Sequence, residues 1–327
     1  MTDQVGLAVA LDGYGWHRQA WRKTMARDPG VGSVLSGRYW AALATTAERG
    51  LLDFLCIDDA LTPQPGRRAQ LSPGRLVGRA DAVLTASHVA TTTTHIGLMP
   101  VATVTHTKPL HVARAIATLD TVSRGRAGWQ TRVSSSAHEA ALFGRQHLPD
   151  RRDLFDEATD FVVAARAFWG SLAPPQGQPV VAALAHAQRI YEFAAAATDL
   201  VFVTPRDDAD FRDIHSAITA LPGATPLVYA DVVVTFGGDA DFGSDAVIVD
   251  GAAAQVAELI LRWHDLGADG VRLRPSVHAT DLPIIADEVV PLVQATGRFR
   301  TAYRDGESLR ARLGLPAPQN RSEVSRS

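Results

Sequence analysis

The sequence has a single cysteine, Cys56, among its 327 residues. One cysteine excludes an intrachain disulfide and a zinc site built on thiolates. Positive charge is not in excess: 32 Lys and Arg stand against 35 Asp and Glu, a net charge of −3. A nucleic-acid footprint needs clustered Lys and Arg, so that class is excluded. The same balance leaves no polybasic stretch for an anionic membrane. No apolar run is long enough to span a bilayer. The opening MTDQVGLAVALDGYG lacks the basic segment of a secretion signal. These absences lead us to expect a cytoplasmic protein. The most legible catalytic signatures are missing too. There is no GxSxG elbow for a serine nucleophile and no HxH or HExxH spacing for a metal. No resident metal is expected.

What is present is a folding composition, 46% hydrophobic and 20% charged. Short apolar runs alternate with longer amphipathic segments. Val5–Leu11 is followed by a helix over Tyr39–Arg49, where Trp40, Leu43, Ala44 and Ala47 share one face. Phe54–Ile57 is followed by Leu76–Ala90. Ile96–Ala102 precedes a helix that starts near Pro109 and stops before Gly125, the usual placing of the two residues. Ala127–Val133 precedes Asp153–Trp169. The second half repeats the scheme: Val180–Ala183 with Ala187–Ala197, Leu200–Val203 with Asp208–Ala220, Leu227–Val234 with Ala252–Leu266, and Gly270–Leu273 with Leu282–Thr296. Runs that are apolar throughout suit parallel strands buried on both faces. Eight such units predict one (β/α)8 TIM barrel over residues 1–327, with a polar tail from about residue 297. The alternative, a doubly wound open sheet, wants a glycine fingerprint after its first strand, and Leu11-Asp12-Gly13-Tyr14-Gly15 opens no helix at once.

In a barrel of this kind the site lies where strands end. That makes candidates of Asp12, Asp58, Asp59, Thr103, Thr105, His106, Ser134–Ser136, His138, His186, Thr204, Thr235, Arg272 and Arg274. Asp58 and Asp59 are adjacent, so at most one faces the axis. Ser134–Ser136 reads either as a phosphate loop or as an ordinary polar loop. The Gly237-Gly238-Asp239 turn reads as a flexible surface loop, given its acidic neighbours. Arg272 and Arg274 share one face. They read either as an anion grip or as a pair capped by Asp269 or Asp281. Cys56 reads as a small core residue.

Four segments then carry a resemblance. Tyr39–Leu61 reads YWAALATTAERGLLDFLCIDDAL. Val101–Trp129 begins VATVTHTKPLHVARAIATLD. Leu266–Leu273 reads LGADGVRL, and Val289–Leu315 ends in RTAYRDGESLRARLGL. Together they resemble the bacterial-luciferase-like flavin monooxygenases, in the branch of nitrilotriacetate and dibenzothiophene-sulfone monooxygenases. The match runs in order over nearly the whole chain. It implies a (β/α)8 barrel and reduced FMN supplied by a separate flavin reductase. It also implies oxygen attack on a small organic substrate through a flavin peroxide, in a homodimer or a heterodimer with a related barrel. By position it implies Asp59 beside the flavin, Thr103 and Thr105 in the stretch after strand three, and Gln130 where the family has asparagine. It further implies Ser134 near the phosphate, with Arg151 as a phosphate grip where a His-x-x-Arg-Tyr motif is otherwise lost. After strand five the family's Gln-Ala-Gly-x-Ser is replaced by Ala183-Leu184-Ala185-His186-Ala187. Two family insertions, before Pro174 and before Ala252, are absent, and with them the lid. The departures keep two other readings open: a catalytically degenerate barrel paired with an active homologue, and a deazaflavin-dependent oxidoreductase.

Overall fold

A computed structural model describes residues 4–28, 30, 32–62, 76, 78–145, 150–238 and 240–318, with Arg151 and Arg152 described in backbone only. Its strands are β1 (Gly6–Leu11), β2 (Phe54–Ile57), β3 (Gly97–Thr103), β4 (Gly128–Arg132), β5 (Val180–Ala185), β6 (Leu200–Val203), β7 (Leu227–Thr235), β8 (Val247–Asp250) and β9 (Gly270–Pro275). β1 to β7 pair in parallel with their chain neighbours. β7 then pairs with β9, and β9 returns to β1. The ring closes as a (β/α)8 barrel. β8 stands outside it and pairs only with the C-terminal half of β7, Val232 against Val247 to Thr235 against Asp250.

The helices are α1 (Ala20–Arg27), α2 (Gly37–Arg49), α3 (Ala82–Ala90), α4 (Pro109–Ser123), α5 (Ala137–Leu142), α6 (Arg151–Leu172), α7 (Gln188–Ala197), α8 (Asp208–Thr219), α9 (Ala253–Asp265), α10 (His278–Ile284), α11 (Val290–Ala295) and α12 (Leu309–Arg312). α2 buries the face read from its spacing: Trp40, Leu43, Ala44 and Ala47. α4 begins at Pro109 and ends on Arg124 in the left-handed region, φ 58°. α3 starts at Ala82, later than Leu76, because the Asp81 side chain accepts from Leu84 N–H and caps it there. The segment expected as one helix over Leu282–Thr296 starts earlier, at His278. It passes through a π turn at Ile285–Val289, between Pro283 and Pro291. Each proline lacks the N–H that an uninterrupted helix would use there. α1, α5, α12 and β8 have no counterpart among the expected elements.

Two apolar layers build the core. One lies between the strands and the helices and includes Leu7, Val9, Leu55, Trp129, Trp169 and Trp263. The other fills the barrel: Ala8, Ala10, Phe54, Cys56, Met99, Ala182, Phe202 and Tyr229 among others. Small residues on β1 and β5 make room for the rings of β2, β6 and β7. Leu309 of the C-terminal segment joins that inner layer from below. It presses on Gly97, where an added Cβ would stand 2.6 Å from its Cδ1. The tail is therefore not a loose polar extension up to residue 318. Tyr303 Oη donates to Leu52 O at 2.6 Å, Arg300 pairs with Asp53, and Arg310 pairs with Asp199. The polar end beyond residue 318 lies outside the described residues.

Candidate active site

Side chains alternate along a strand, so the inner face can be followed upward to the mouth. Ala8 and Ala10 on β1 lead to Asp12. Phe54 and Cys56 on β2 lead to Asp58. On β7, Tyr229 leads to Asp231, and on β9, Gly270 leads to Arg272 and Arg274. Asp231, Arg272 and Arg274, all buried, meet Gln130 of β4 inside the barrel. Arg272 donates from Nε and Nη2 to the two oxygens of Asp231 at 2.7 and 2.6 Å, and from Nη1 to Gln130 Oε1 at 2.5 Å. Its Nη1 is also 3.3 Å from Cys56 Sγ. The guanidinium carbon lies 3.4 Å from the centre of the Phe202 ring. Asp231 also takes Arg274, which reaches on to Asp245 at 2.7 Å. Arg272 and Arg274 are thus neither an anion grip nor capped by Asp269 or Asp281. Asp269 accepts from Val228 N–H, and Asp281 from Val277 N–H. Burial lifts the Cys56 thiol to about 11 despite the nearby guanidinium, so Cys56 is a poor nucleophile.

Above this network a cavity of about 530 Å³ opens at the mouth. That is the size of pockets that hold small organic ligands, roughly 300–1,000 Å³. Its walls come from the segment after β1, from α1, from the end of β2, from Leu76 and Gly78–Ala80, and from the 242–245 loop. Arg79 crosses it, donating to Asp12 at 2.9 Å and Asp58 at 3.1 Å. Burial raises the Asp12 carboxyl to about 6 against the pull of Arg79. Gly15 lets the β1 segment lie on β9. A Cβ there would meet Ser276 O at 2.2 Å, and its φ of +141° disfavours any side chain. Gly237 and Gly238, expected in a surface loop, are exposed, while Phe242–Asp245 further along reach the mouth. Phe242 packs edge-on against His17 at 4.7 Å, and Asp245 holds Arg274. Asp239 lies outside the described residues.

The residues expected at the site fall along the β2 to β4 side of the same mouth. Asp59 accepts from Ala60 N–H at 2.6 Å and from Ala82 N–H at 3.1 Å, at the start of α3. Burial lifts it to about 6, against these two bonds. Thr103 is buried and 3.4 Å from Arg132 Nη1. Thr105 accepts from Ser134 N–H at 2.8 Å, and Ser134 Oγ accepts from Ser136 N–H at 3.2 Å. Ser136 caps α5, so Ser134–Ser136 is a helix entry rather than a free loop. Gln130 belongs to the Arg272 network. Arg151 opens α6, and its side chain lies outside the described residues. Next to this group His106 has a left-handed φ of +71°, and both of its ring nitrogens are buried without a partner. Burial, with Arg145 nearby, lowers its pKa. Glu139 is pushed up by burial, but its bond to Arg132 outweighs that and leaves it below the usual range.

Arg79 and Asp231 were missed from the sequence. For Asp231 a signal existed. A carboxylate inside the apolar strand Leu227–Thr235 needs buried cationic partners, and Arg272 and Arg274 are spaced to supply them. For Arg79 there was none, since it lies in an irregular segment whose placement is purely tertiary.

Residues 16–224 match the family model for luciferase-like monooxygenases. The chain belongs to that family. Over 97% of its length it is 24% identical to the N-acetyl-S-(2-succino)cysteine monooxygenase of Bacillus subtilis (strain 168), covering 98% of that protein. That alignment runs over 443 positions against 327 residues here, so the luciferase-like chain omits long stretches of the relative. A 159-residue stretch, 46% of this chain and 34% of the relative, is 39% identical to dibenzothiophene-sulfone monooxygenase of Rhodococcus erythropolis. The EDTA monooxygenase of Chelativorans sp. BNC1 superposes with a TM-score of 0.81 at 19% identity, covering 96% of this chain and 99% of that one. At that identity the likeness speaks for the fold. Among the described residues no helix is long and apolar enough to cross a membrane, and no three His, Cys, Asp or Glu side chains cluster as metal ligands.

Proposed function

We propose that this luciferase-like chain is a reduced-FMN-dependent monooxygenase acting on a small organic molecule held in the mouth cavity. The reading includes a separate flavin reductase, a homodimer or a heterodimer with a related barrel, and a cytoplasmic setting. The observation that carries it is the aromatic, partly enclosed cavity of about 530 Å³ directly above the barrel network. A flavin fits the neighbouring β2 to β4 rim on one count. His106 offers two buried ring nitrogens with no partner, close to the guanidiniums of Arg132 and Arg145. Those guanidiniums are paired with Glu139 and Glu157, so what His106 offers a planar cofactor is its two unpartnered ring nitrogens. Asp59, Thr103 and His106 would hold it, and Arg151 stands at the start of α6 on the same rim. The bound flavin supplies the oxygen-activating chemistry.

The chain itself binds, orients and shields. The aromatic walls exclude water from the reacting end of the substrate. Phe242 and Asp245 close one side of the mouth in place of a larger lid. Asp12, held near 6, can keep or release a proton at the mouth close to neutral pH.

The test is an anaerobic titration with reduced and oxidised FMN, followed by calorimetry. Micromolar binding, tighter for the reduced form, is expected. Absence of binding up to millimolar FMN would sink the proposal. It would favour the second reading, a barrel that has lost flavin chemistry and pairs with an active homologue. One feature already leans that way: Thr105, Gln130 and Ser134 are all bonded within the protein.

A further inference from the structure

Each carboxylate on the wall of the mouth cavity has a cation, but one cation on that wall has no carboxylate. Asp12 and Asp58 are held by Arg79, and Asp245 by Arg274. Arg18 also lines the cavity and is exposed, and it pairs with no acid among the described residues. Its guanidinium reaches the 242–245 loop: a Cβ added to Gly243 would stand 3.9 Å from Arg18 Nη2. Arg22, one turn on in α1, is exposed as well, with its guanidinium 4.9 Å from the centre of the Trp21 ring. By sequence, residues 63–75, outside the described residues, bring Arg67, Arg68 and Arg75 and no carboxylate, while the 236–245 loop brings Asp239 and Asp241 beside Asp245. Three further cations against two further acids do not cancel the positive charge of Arg18 and Arg22.

The depth of the cavity is different. The side chains of Asp12 and Arg79 are only 22% and 11% exposed, and the one guanidinium is already shared between two carboxylates. An anion placed there would meet like charge. Around it stand rings whose own donors are spent inside the protein. Trp16 Nε1 donates to Ala10 O at 2.9 Å, Trp40 Nε1 to Val34 O at 2.7 Å, and Tyr14 Oη to Gly32 O at 2.9 Å. Such walls take a flat apolar body. The cavity is therefore asymmetric, with rings in its depth and an unpaired, solvent-reached cation at its lip. A charge held at the lip keeps much of its water and avoids the penalty of full burial.

We propose that the cavity takes an amphipathic ligand with a single anionic group, which Arg18 holds at the lip while the ligand's apolar body enters among the rings. Arg18 is then a specificity-determining residue: it fixes which end of the ligand stays outside. One exposed ion pair shifts affinity only a few-fold, so Arg18 sets orientation and preference, and the apolar body supplies most of the binding. Calling that ligand the substrate rests on the monooxygenase reading. The binding itself needs no flavin, so the two are tested apart.

Fluorescence titration of the intact protein with two dyes decides it. Anilinonaphthalene sulfonate carries one anionic group, and phenylnaphthylamine is the same ring system without it. Arg18→Gln is expected to weaken the sulfonate dye about fivefold at low salt and to leave the neutral dye unchanged, which also shows that the cavity still forms. Arg18→Lys keeps the charge and should recover most of that loss. Raising the salt to about 0.5 M NaCl should weaken the sulfonate dye in the parent protein and much less in Arg18→Gln. Arg114→Gln removes an exposed arginine on α4 and should change neither dye. Unchanged sulfonate binding in Arg18→Gln, an equal loss for both dyes, the same loss in Arg114→Gln, or no saturable binding of the sulfonate dye by the parent would each overturn the proposal. Reduced FMN titrated in parallel separates the two readings. FMN binding with no Arg18 dependence of the sulfonate dye defeats this inference alone. Arg18-dependent dye binding without FMN binding defeats the flavin reading alone.

Discussion

The barrel interior sets one aspartate, Asp231, between Arg272 and Arg274, and the barrel mouth sets one arginine, Arg79, between Asp12 and Asp58. Inside, Arg272 donates from all three of its guanidinium nitrogens, and Asp231 is nowhere exposed. At the mouth, Arg79 leaves Nε without an acceptor and Asp12 titrates near 6. Buried charge is tolerated only when it is paired and hydrogen-bonded. Arg272 and Asp231 meet that condition within the protein, whereas Arg274 Nε, like Arg79 Nε, is buried without a partner. The group at the mouth pairs Arg79 with two carboxylates at 2.9 and 3.1 Å.

The sharpest way to break this comparison is Asp231→Asn. It leaves Arg272 and Arg274 buried with a neutral partner, and the expected loss is about 3–5 kcal/mol in urea unfolding. A loss below 1 kcal/mol would mean that the inner network is not what joins β7 to β9. Next comes Gly97→Ala at the closed end of the barrel. The new Cβ would meet Leu309 Cδ1 at 2.6 Å and Phe54 Cβ at 2.8 Å. Overpacking of this sort costs about 1–3 kcal/mol. A thermal melt that does not move would show that the C-terminal segment is not packed there.

A pH series sharpens the other side. Asp12 has a folded pKa near 6, above its ordinary value of 3.8. The folded state therefore binds the proton more tightly, and stability from this group is fully present below pH 3.8 and lost as pH rises through about 6. Asp12→Asn should flatten that part of the stability profile between pH 4 and 6. Asp59 contributes a similar slope of its own, so an unchanged profile in Asp12→Asn would assign the slope to Asp59. The smallest expected effect is Trp21→Phe, which should change stability by under about 0.5 kcal/mol, since its indole N–H is bonded to nothing. A larger loss, measured by urea titration, would make Trp21 a packing residue and weaken its place as a free donor.

Much of the architecture was readable in one dimension. Trp40, Leu43, Ala44 and Ala47 announced α2 through their spacing, and Pro109 and Gly125 bracketed α4. The apolar runs marked all eight barrel strands, because a strand buried on both faces has little choice of residue. β8 escaped notice because Val247–Asp250 is short and half-buried. It exists only because β7 extends past β6 and leaves an edge to pair with. The short helix after Ser136 was likewise read as loop, although Ser136 and Glu139 have the spacing of a capping box. At the candidate site, strand ends pointed to Asp12, Asp58, Arg272 and Arg274, but not to how they pair.

The sequence by itself determined the strand–helix alternation, the closed barrel and the family, since each rests on local periodicity or on motifs kept in order. Only the tertiary structure decided which charges face each other. Arg79 and Asp12 are 67 positions apart, and Arg272 and Asp231 are 41 apart. The strength of a charge pair depends on distance and burial, and neither exists until the barrel closes.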